Sequence, residues 1–251
     1  MKNLKEIIIE NKNSDFLTLL KDVLKWEKER VDKNFTKGSY FEDINSRFGI
    51  FPKTKLYPMY FYGDIENPKD KYVFMGINPS YTGKMEKQEY KDEKISFNNY
   101  YDFLNNAFLK WKEKRYYNDK LFNYLKRNIS LYLNERYNID KKDINYEWIQ
   151  KNVVNLEFLP YHSKSANGLV INNINDYFET YFVVLEKFIK YLNPQKEIVI
   201  FGFPKIIELL KLDKNKKIEF HKNGKIYQGK LFGYDFIGLN FRFSGEHLKL
   251  L

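Results

Sequence analysis

The sequence predicts an α/β protein in which a mostly parallel sheet of four strands lies between layers of helices. Amphipathic helical patterns alternate with short apolar runs, and this alternation is typical of a parallel sheet that helices cover on both faces. One run, EIVIF at 197–201, is almost wholly apolar, as expected for a strand in the centre of such a sheet. The four predicted strands cover residues 72–75, 153–159, 197–201 and 235–243.

Composition favours one large domain that spans residues 1–251. The chain is 43% hydrophobic and 18% aromatic, which is enough for a sizeable core and excludes a wholly disordered protein. The formal net charge of +10 favours a polyanionic partner, with nucleic acid as the first candidate, although an even spread of charge over a basic surface remains open. Because the chain has no cysteine, disulfides, thiolate chemistry and cysteine-based zinc sites are excluded.

The amino-terminal segment predicts neither secretion nor membrane insertion. The apolar run within residues 1–16 is too short and too highly charged for a signal peptide, and no segment reaches the length of a transmembrane helix. We therefore expect a cytoplasmic protein without a membrane partner, and we expect it to be a monomer.

Residues 1–60 predict a helical extension in front of the sheet. Ser14 is the expected N-cap of a helix whose apolar stripe includes Phe16, Leu20 and Leu24. The mixed charges of residues 25–33 are expected on a solvated face. Residues 38–58 are expected to be irregular, because Gly, Asn and Pro interrupt every apolar run there. The pattern indicates no chemistry in this extension.

The first predicted strand ends in a tight turn that carries one polar side chain. Gly76 can adopt backbone conformations that are closed to other residues, and Pro79 fixes its own φ. Asn78 lies between them at the carboxyl end of the strand, where open α/β sheets bind ligands. A simple boundary between strand and turn, without a functional role, is the alternative interpretation.

Residues 82–146 are predicted to form a helical insertion that begins with a polar loop at 82–96. Apolar residues recur at helical spacing over 97–116 and 121–137. The insertion is also rich in Lys and Arg. It therefore either follows a phosphate backbone or presents an ordinary solvated helix surface.

The second predicted strand carries two polar side chains on one face, because Asn155 and Glu157 are two residues apart. A buried Glu is costly, so Glu157 is expected either to contact a substrate or to pair with a Lys or Arg. The following turn adds Tyr161, His162 and Ser163, although a structural role for His162 remains open. With three histidines and no acidic cluster at ligand spacing, we expect no metal site.

The rest of the chain predicts a helix over 172–192, a helix over 205–210 and a hairpin over 218–229. The hairpin turn is placed at Asn223 and Gly224. The last strand then runs into Ser244 and Gly245. The glycine-rich fingerprints of dinucleotide and P-loop sites are absent.

Two motifs give the chain a resemblance to a known family. The segment VFMGINPS, at 73–80, resembles the first motif of the uracil-DNA glycosylase superfamily, and it is closest to the mismatch-specific branch with its G-I-N-P-G. Ser80 stands where that branch has Gly. The preceding Tyr62-Gly63-Asp64 is similar to the lead-in of many members. The similarity covers residues 62–247 and leaves 1–60 and the insertion without a counterpart.

The second motif departs from the family pattern, which is H-P-S-G or N-P-S-G in many members. Aligned on Ser244 and Gly245, the chain has Arg242 in the place of the His or Asn and Phe243 in the place of the Pro. This departure puts the contact to the leaving group in doubt.

The resemblance implies a three-layer fold and a monofunctional DNA glycosylase, with no metal or organic cofactor. Such an enzyme flips a nucleotide out of double-stranded DNA, or takes one from a single strand, and hydrolyses its N-glycosidic bond. It also implies that Asn78 positions the attacking water and that Arg242 or His247 stabilises the departing base or holds a phosphate. The expected substrate-binding residues are Gly76, Ile77, Pro79, Ser80, Tyr81, Asn155, Glu157, Tyr161, His162, Ser163, Ser244 and Gly245.

Two other function classes remain open: an inactive nucleic-acid-binding protein on the same fold, and an enzyme that acts on free nucleosides or nucleotides. The base, uracil or a modified pyrimidine, and the role, in repair or in defence against modified foreign DNA, are also open. An ionised Glu157 only accepts hydrogen bonds and would match the amino group of a cytosine-type base. On that hypothesis a modified cytosine is at least as plausible as uracil.

Overall fold

The computed structural model confirms the α/β class and shows one mixed sheet of seven strands with helices on both faces. The structure describes residues 2–33, 39–50, 57–77, 97–109, 119–163, 168–212 and 217–240. The strand order across the sheet is β1-β3-β2-β4-β7-β6-β5. The strands are β1 Phe61–Tyr62, β2 Tyr72–Gly76, β3 Val153–Glu157, β4 Ile198–Phe201, β5 Glu219–Asn223, β6 Ile226–Leu231 and β7 Tyr234–Leu239.

The helices of the described part surround this sheet, and none of them is both long and apolar enough to cross a membrane. They are α1 Leu4–Glu10, α2 Phe16–Lys33, α3 Ser39–Phe48, α4 Phe97–Asn105, α5 Asp119–Tyr137, α6 Tyr146–Asn152, α7 Ile174–Glu179, α8 Tyr181–Leu192 and α9 Phe203–Leu210.

The four strands predicted from the sequence form the parallel centre of the sheet, in the order β3-β2-β4-β7. β1 pairs antiparallel with β3 at one edge, and the hairpin of β5 and β6 extends the sheet antiparallel beyond β7. The sheet is therefore wider than the four strands expected. The strand pattern alone did not predict that β1 or the hairpin of β5 and β6 would join the sheet.

Helices pack on both faces of this parallel centre. Neighbouring residues of a strand point to opposite faces, so Phe74, paired with Asn155, and Phe61, paired with Leu156, lie on opposite sides. The ring of Phe74 packs 5.8 Å from Tyr132 of α5. The ring of Phe61 packs 5.3 Å from Phe188 of α8. These contacts explain why the centre of the sheet is apolar on both faces.

The helix predictions were wrong in three places, each for a local reason. Residues 39–48, expected to be irregular, form α3, which ends at Gly49 with a positive φ of 66°. The predicted helix 172–192 is interrupted at Thr180, where φ is −125° and ψ is −92°. The N-cap of α2 is Asp15 and not Ser14, because the Asp15 carboxylate accepts a 3.0 Å hydrogen bond from the Thr18 amide.

The predicted hairpin is confirmed, with strands that meet at the pair Asn223 and Ile226. Gly224, with a φ of 58°, supplies the left-handed conformation that a two-residue turn needs. A second tight turn joins β6 to β7 through Phe232 and Gly233, both at positive φ. β6 and β5 therefore follow β7 at the edge of the sheet, separated from β2 and the first motif by β4 and β7.

Candidate active site

Three neighbouring strands lose their burial at the same point, the carboxyl end of the parallel centre. β3 and β4 are buried up to their last residues, Glu157 and Phe201, which are partly exposed. β2 is buried in its middle and is partly exposed at both ends, Tyr72 and Gly76. Gly76 pairs with Glu157 in the register of β2 and β3. Phe201 lies on the same face of the sheet, and its ring stacks on Phe74 at 5.9 Å. This edge is where open α/β sheets bind ligands.

Gly76 is needed at this edge because it leaves space for a carboxyl group. A Cβ atom at Gly76 would lie 2.5 Å from Glu157 Oε2 and 3.2 Å from its Cδ, so a side chain here would require the carboxyl to move. Gly76 is not among the residues with positive φ, so the expected special backbone conformation is wrong. The glycine of the first motif therefore allows the Glu157 carboxyl to lie directly on the β2 backbone.

Asn155 and Glu157 share one face of β3, as predicted, and they contact each other. The Asn155 side-chain amide donates to Glu157 Oε1 at 3.1 Å, and Asn155 is only 2% exposed. Two atoms of this pair, Asn155 Oδ1 and Glu157 Oε2, are shielded from solvent and have no hydrogen-bond partner in the described structure. Most buried polar atoms have a partner, so an unpaired one calls for an explanation, such as a catalytic role or a bound water or ion.

Burial raises the pKa of Glu157 well above its usual value, and the single hydrogen bond from Asn155 acts in the opposite direction. No Lys or Arg of the described chain forms an ion pair with this carboxyl, so the proposed structural pairing finds no support there. Both facts favour a neutral carboxyl, which donates as well as accepts hydrogen bonds. The argument for a cytosine-type base assumed an ionised Glu157, and the raised pKa works against that assumption.

Backbone hydrogen bonds extend the pairing of β2 and β3 to the start of the first motif. The amide of Phe158 donates to the Gly76 carbonyl at 3.0 Å, and the amide of Leu159 donates to the Ile77 carbonyl at 2.8 Å. Ile77 is also 4% exposed. Hydrogen bonds and packing therefore hold the backbone in place as far as Ile77, the residue before Asn78.

The other predicted site residues fall into two groups. Tyr161 and Ser163 are buried and His162 is partly exposed after β3. The Tyr161 hydroxyl donates at 2.8 Å to Glu27 Oε1, on the amino-terminal helix α2. The remaining predicted residues lie outside the described residues: Asn78, Pro79, Ser80, Tyr81, Arg242, Ser244, Gly245 and His247.

The sequence analysis missed a second buried carboxyl, Glu27 in α2. Glu27 is fully buried, and besides Tyr161 it accepts a hydrogen bond from Tyr60 at 2.9 Å and pairs with Arg30 at 3.3 Å. Arg30 also pairs with Asp43 of α3 at 2.5 Å. The expected solvated face of residues 25–33 is therefore wrong at these two positions. Helical spacing from Leu20 through Glu27 to Val31 would have shown that Glu27 lies on the buried stripe.

No group of three or more His, Asp or Glu side chains suited to a metal ion occurs in the described ranges. The chemistry available at the described strand ends is that of a carboxyl whose pKa is raised, Glu157, and of a buried amide, Asn155. These groups can donate a proton and orient a polar ring.

Comparisons with known proteins name no family for this chain. No protein-family model matches the sequence. No curated protein matches it, and no solved structure matches it. The functional interpretation therefore depends on the strand-end geometry and on the motif residues.

Proposed function

We propose that this protein is a monofunctional DNA glycosylase that releases uracil or a modified pyrimidine from DNA. In this reaction the bond between C1′ of the sugar and the ring nitrogen of the base breaks, and the oxygen of a water molecule bonds to C1′. One proton of that water stays in the new hydroxyl group, and the other is balanced by the proton that the free base carries away. The products are the free base and an abasic site.

The observation that carries this proposal is the Glu157 carboxyl, which has no ionic partner among the described residues and lies against Gly76, the first residue of the Gly-Ile-Asn-Pro motif. A buried polar atom without a partner costs about 1–3 kcal/mol. An atom left at this cost at the carboxyl end of β3 supports a functional role for Glu157. The parallel arrangement β3-β2-β4-β7 also supports the three-layer glycosylase fold that the motifs imply.

The remaining roles follow from the resemblance. Asn78 positions the attacking water, and the backbone at Gly76 and Ile77 contacts the base. Arg242 or His247 stabilises the departing base or holds a phosphate. The formal net charge of +10 supports DNA as the partner, because cationic side chains neutralise phosphates and release counterions on binding.

The test is single-turnover base release from oligonucleotides that carry uracil or substituted cytosines, with alkaline cleavage of the abasic product. We expect the wild type to release at least one of these bases. Asn78→Ala should keep its DNA affinity and lose about 10²–10³ in rate, the usual effect of removing one positioned polar group from an active site. Asn13→Ala, which removes an exposed amide on the amino-terminal extension, is the matched control and should keep the wild-type rate.

Each alternative function gives a different result in the same assay. DNA binding without base release would favour the inactive nucleic-acid-binding protein. Release of the base from free nucleosides, with weak DNA binding that does not depend on salt, would favour an enzyme that acts on free nucleosides or nucleotides. A wild-type rate in Asn78→Ala would remove the water-positioning role.

A further inference from the structure

The Glu157 carboxyl has an unusual distribution of hydrogen bonds. Oε1 accepts from Asn155, but Oε2 is shielded from water and has no partner in the described part of the chain. The residue as a whole is partly exposed at the end of β3. A molecule that reaches this edge can therefore approach Glu157, while bulk water does not hydrate Oε2 in this structure.

Among the described residues, the elements packed around Glu157 bring no charged group to its carboxyl. β2 contributes Gly76, which has no side chain, and β4 ends in the apolar ring of Phe201. The residue before β1, Tyr60, offers its carbonyl to the Glu157 amide at 3.1 Å. Burial and the Asn155 amide are thus the influences on the Glu157 pKa, and burial dominates. Burial therefore favours the protonated form of this carboxyl.

We propose that Glu157 is the general acid of the reaction and gives the proton on its carboxyl to the departing base. This inference rests on the proposed glycosylase function and assigns the same site a proton-transfer step. As the C1′–N bond breaks, the Glu157 proton passes to the base, which leaves as a neutral molecule. Water adds its hydroxyl to C1′, and its remaining proton restores the Glu157 acid, so the net reaction consumes one water.

A general acid is useful here because an unprotonated pyrimidine must leave as an anion. Proton transfer by a positioned side chain contributes about 10²–10⁴ to the rate of such reactions. Exclusion of water from Oε2 also prevents the proton from being lost to solvent before the base arrives. The Asn155 amide holds Oε1, whereas Oε2, which lies against Gly76, has no hydrogen-bond partner among the described residues and can still form a hydrogen bond to a ligand.

The test compares wild type with Glu157→Gln on two bases of different leaving ability. Gln keeps the size and the hydrogen-bond donor of a neutral Glu but cannot transfer its proton. The substrates are oligonucleotides with uracil and with the more acidic 5-fluorouracil, or 5-methylcytosine and 5-fluorocytosine if the wild type acts on cytosines. We expect Glu157→Gln to slow release of the poorer leaving base by about 10²–10³ and release of the fluorinated base much less. DNA affinity should not change.

The wild-type dependence of rate on pH gives a second measurement that needs no variant. Release of the poorer leaving base should fall as pH rises through the raised pKa of Glu157. Equal slowing of both bases in Glu157→Gln, or no slowing, would overturn the general acid while leaving the glycosylase function intact. Absence of release of any tested base by the wild type would overturn both. Glu219→Gln, on the exposed strand β5, is the control.

Discussion

Two buried glutamates in this protein differ in what surrounds them, and the difference separates a structural group from a functional one. Burial raises the pKa of both Glu27 and Glu157. Glu27 is nevertheless satisfied, because Arg30, Tyr60 and Tyr161 all contact its carboxyl. Among the described residues, Glu157 has one amide donor and an oxygen without a partner.

The two surroundings predict opposite consequences of mutation. Glu27 connects the amino-terminal helices to β1 and to the segment after β3, so its loss should reduce the stability of the fold. Glu157 contributes little that holds the fold together, so its loss should affect function first. Each of the following changes tests one side of this comparison.

The largest effect on stability is expected for Glu27→Ala. The substitution leaves Arg30, which is only 8% exposed, without its buried partner, and we expect a loss of about 3–5 kcal/mol in the free energy of unfolding. Glu29→Ala, which removes an exposed carboxylate that pairs with Lys33 on the same helix, should change it by less than about 1 kcal/mol. Urea unfolding of both variants measures the difference, and similar losses in the two would contradict a structural role for Glu27.

Gly76→Ala should have an intermediate effect. The new Cβ would lie 2.5 Å from Glu157 Oε2, so the carboxyl must move, and we expect a loss of about 1–3 kcal/mol together with reduced base release. Gly168→Ala is the matched control, because a Cβ there meets no atom within 4 Å. Equilibrium unfolding and single-turnover rates would show both effects. Unchanged values for Gly76→Ala would mean that the carboxyl does not need this position.

The last change, Glu157→Gln, tests the pH dependence of stability. Because the folded-state pKa is raised above the usual 4.5, wild-type stability from this group is complete below pH 4.5. It is lost as pH rises through the folded pKa, at about 1.4 kcal/mol for each unit by which that pKa is raised. Gln has no such ionisation, so the variant should gain stability relative to wild type between pH 4.5 and pH 8. Parallel curves over this range would show that Glu157 ionises normally.

The sequence predicted the parts of the fold that depend on local patterns. The apolar runs located the four parallel strands, and Asn223 with Gly224 located the hairpin turn. The face shared by Asn155 and Glu157 also followed from strand periodicity alone, and their contact confirms it.

The missed features depend on contacts between distant segments. The spatial reason for Gly76 appears only when β2 and β3 align Gly76 with Glu157, a pairing across 81 residues of chain, from 76 to 157. Glu27 lies on the buried stripe of α2, but a charged residue is expected to face solvent. The partners that allow its burial, Tyr60 and Tyr161, come from other segments of the chain, so the helix pattern does not show them. Asn78 and the second motif lie outside the described residues, so their roles stay predictions.

The central claim is that Glu157 serves catalysis and not the stability of the fold, and single-turnover base release by Glu157→Leu tests it most directly. Leu removes the carboxyl and its unpaired oxygen while keeping an apolar side chain on β3. We predict a folded variant, at least as stable as wild type near neutral pH, whose base release falls by about 10² or more. Base release at the wild-type rate in this variant would contradict the claim.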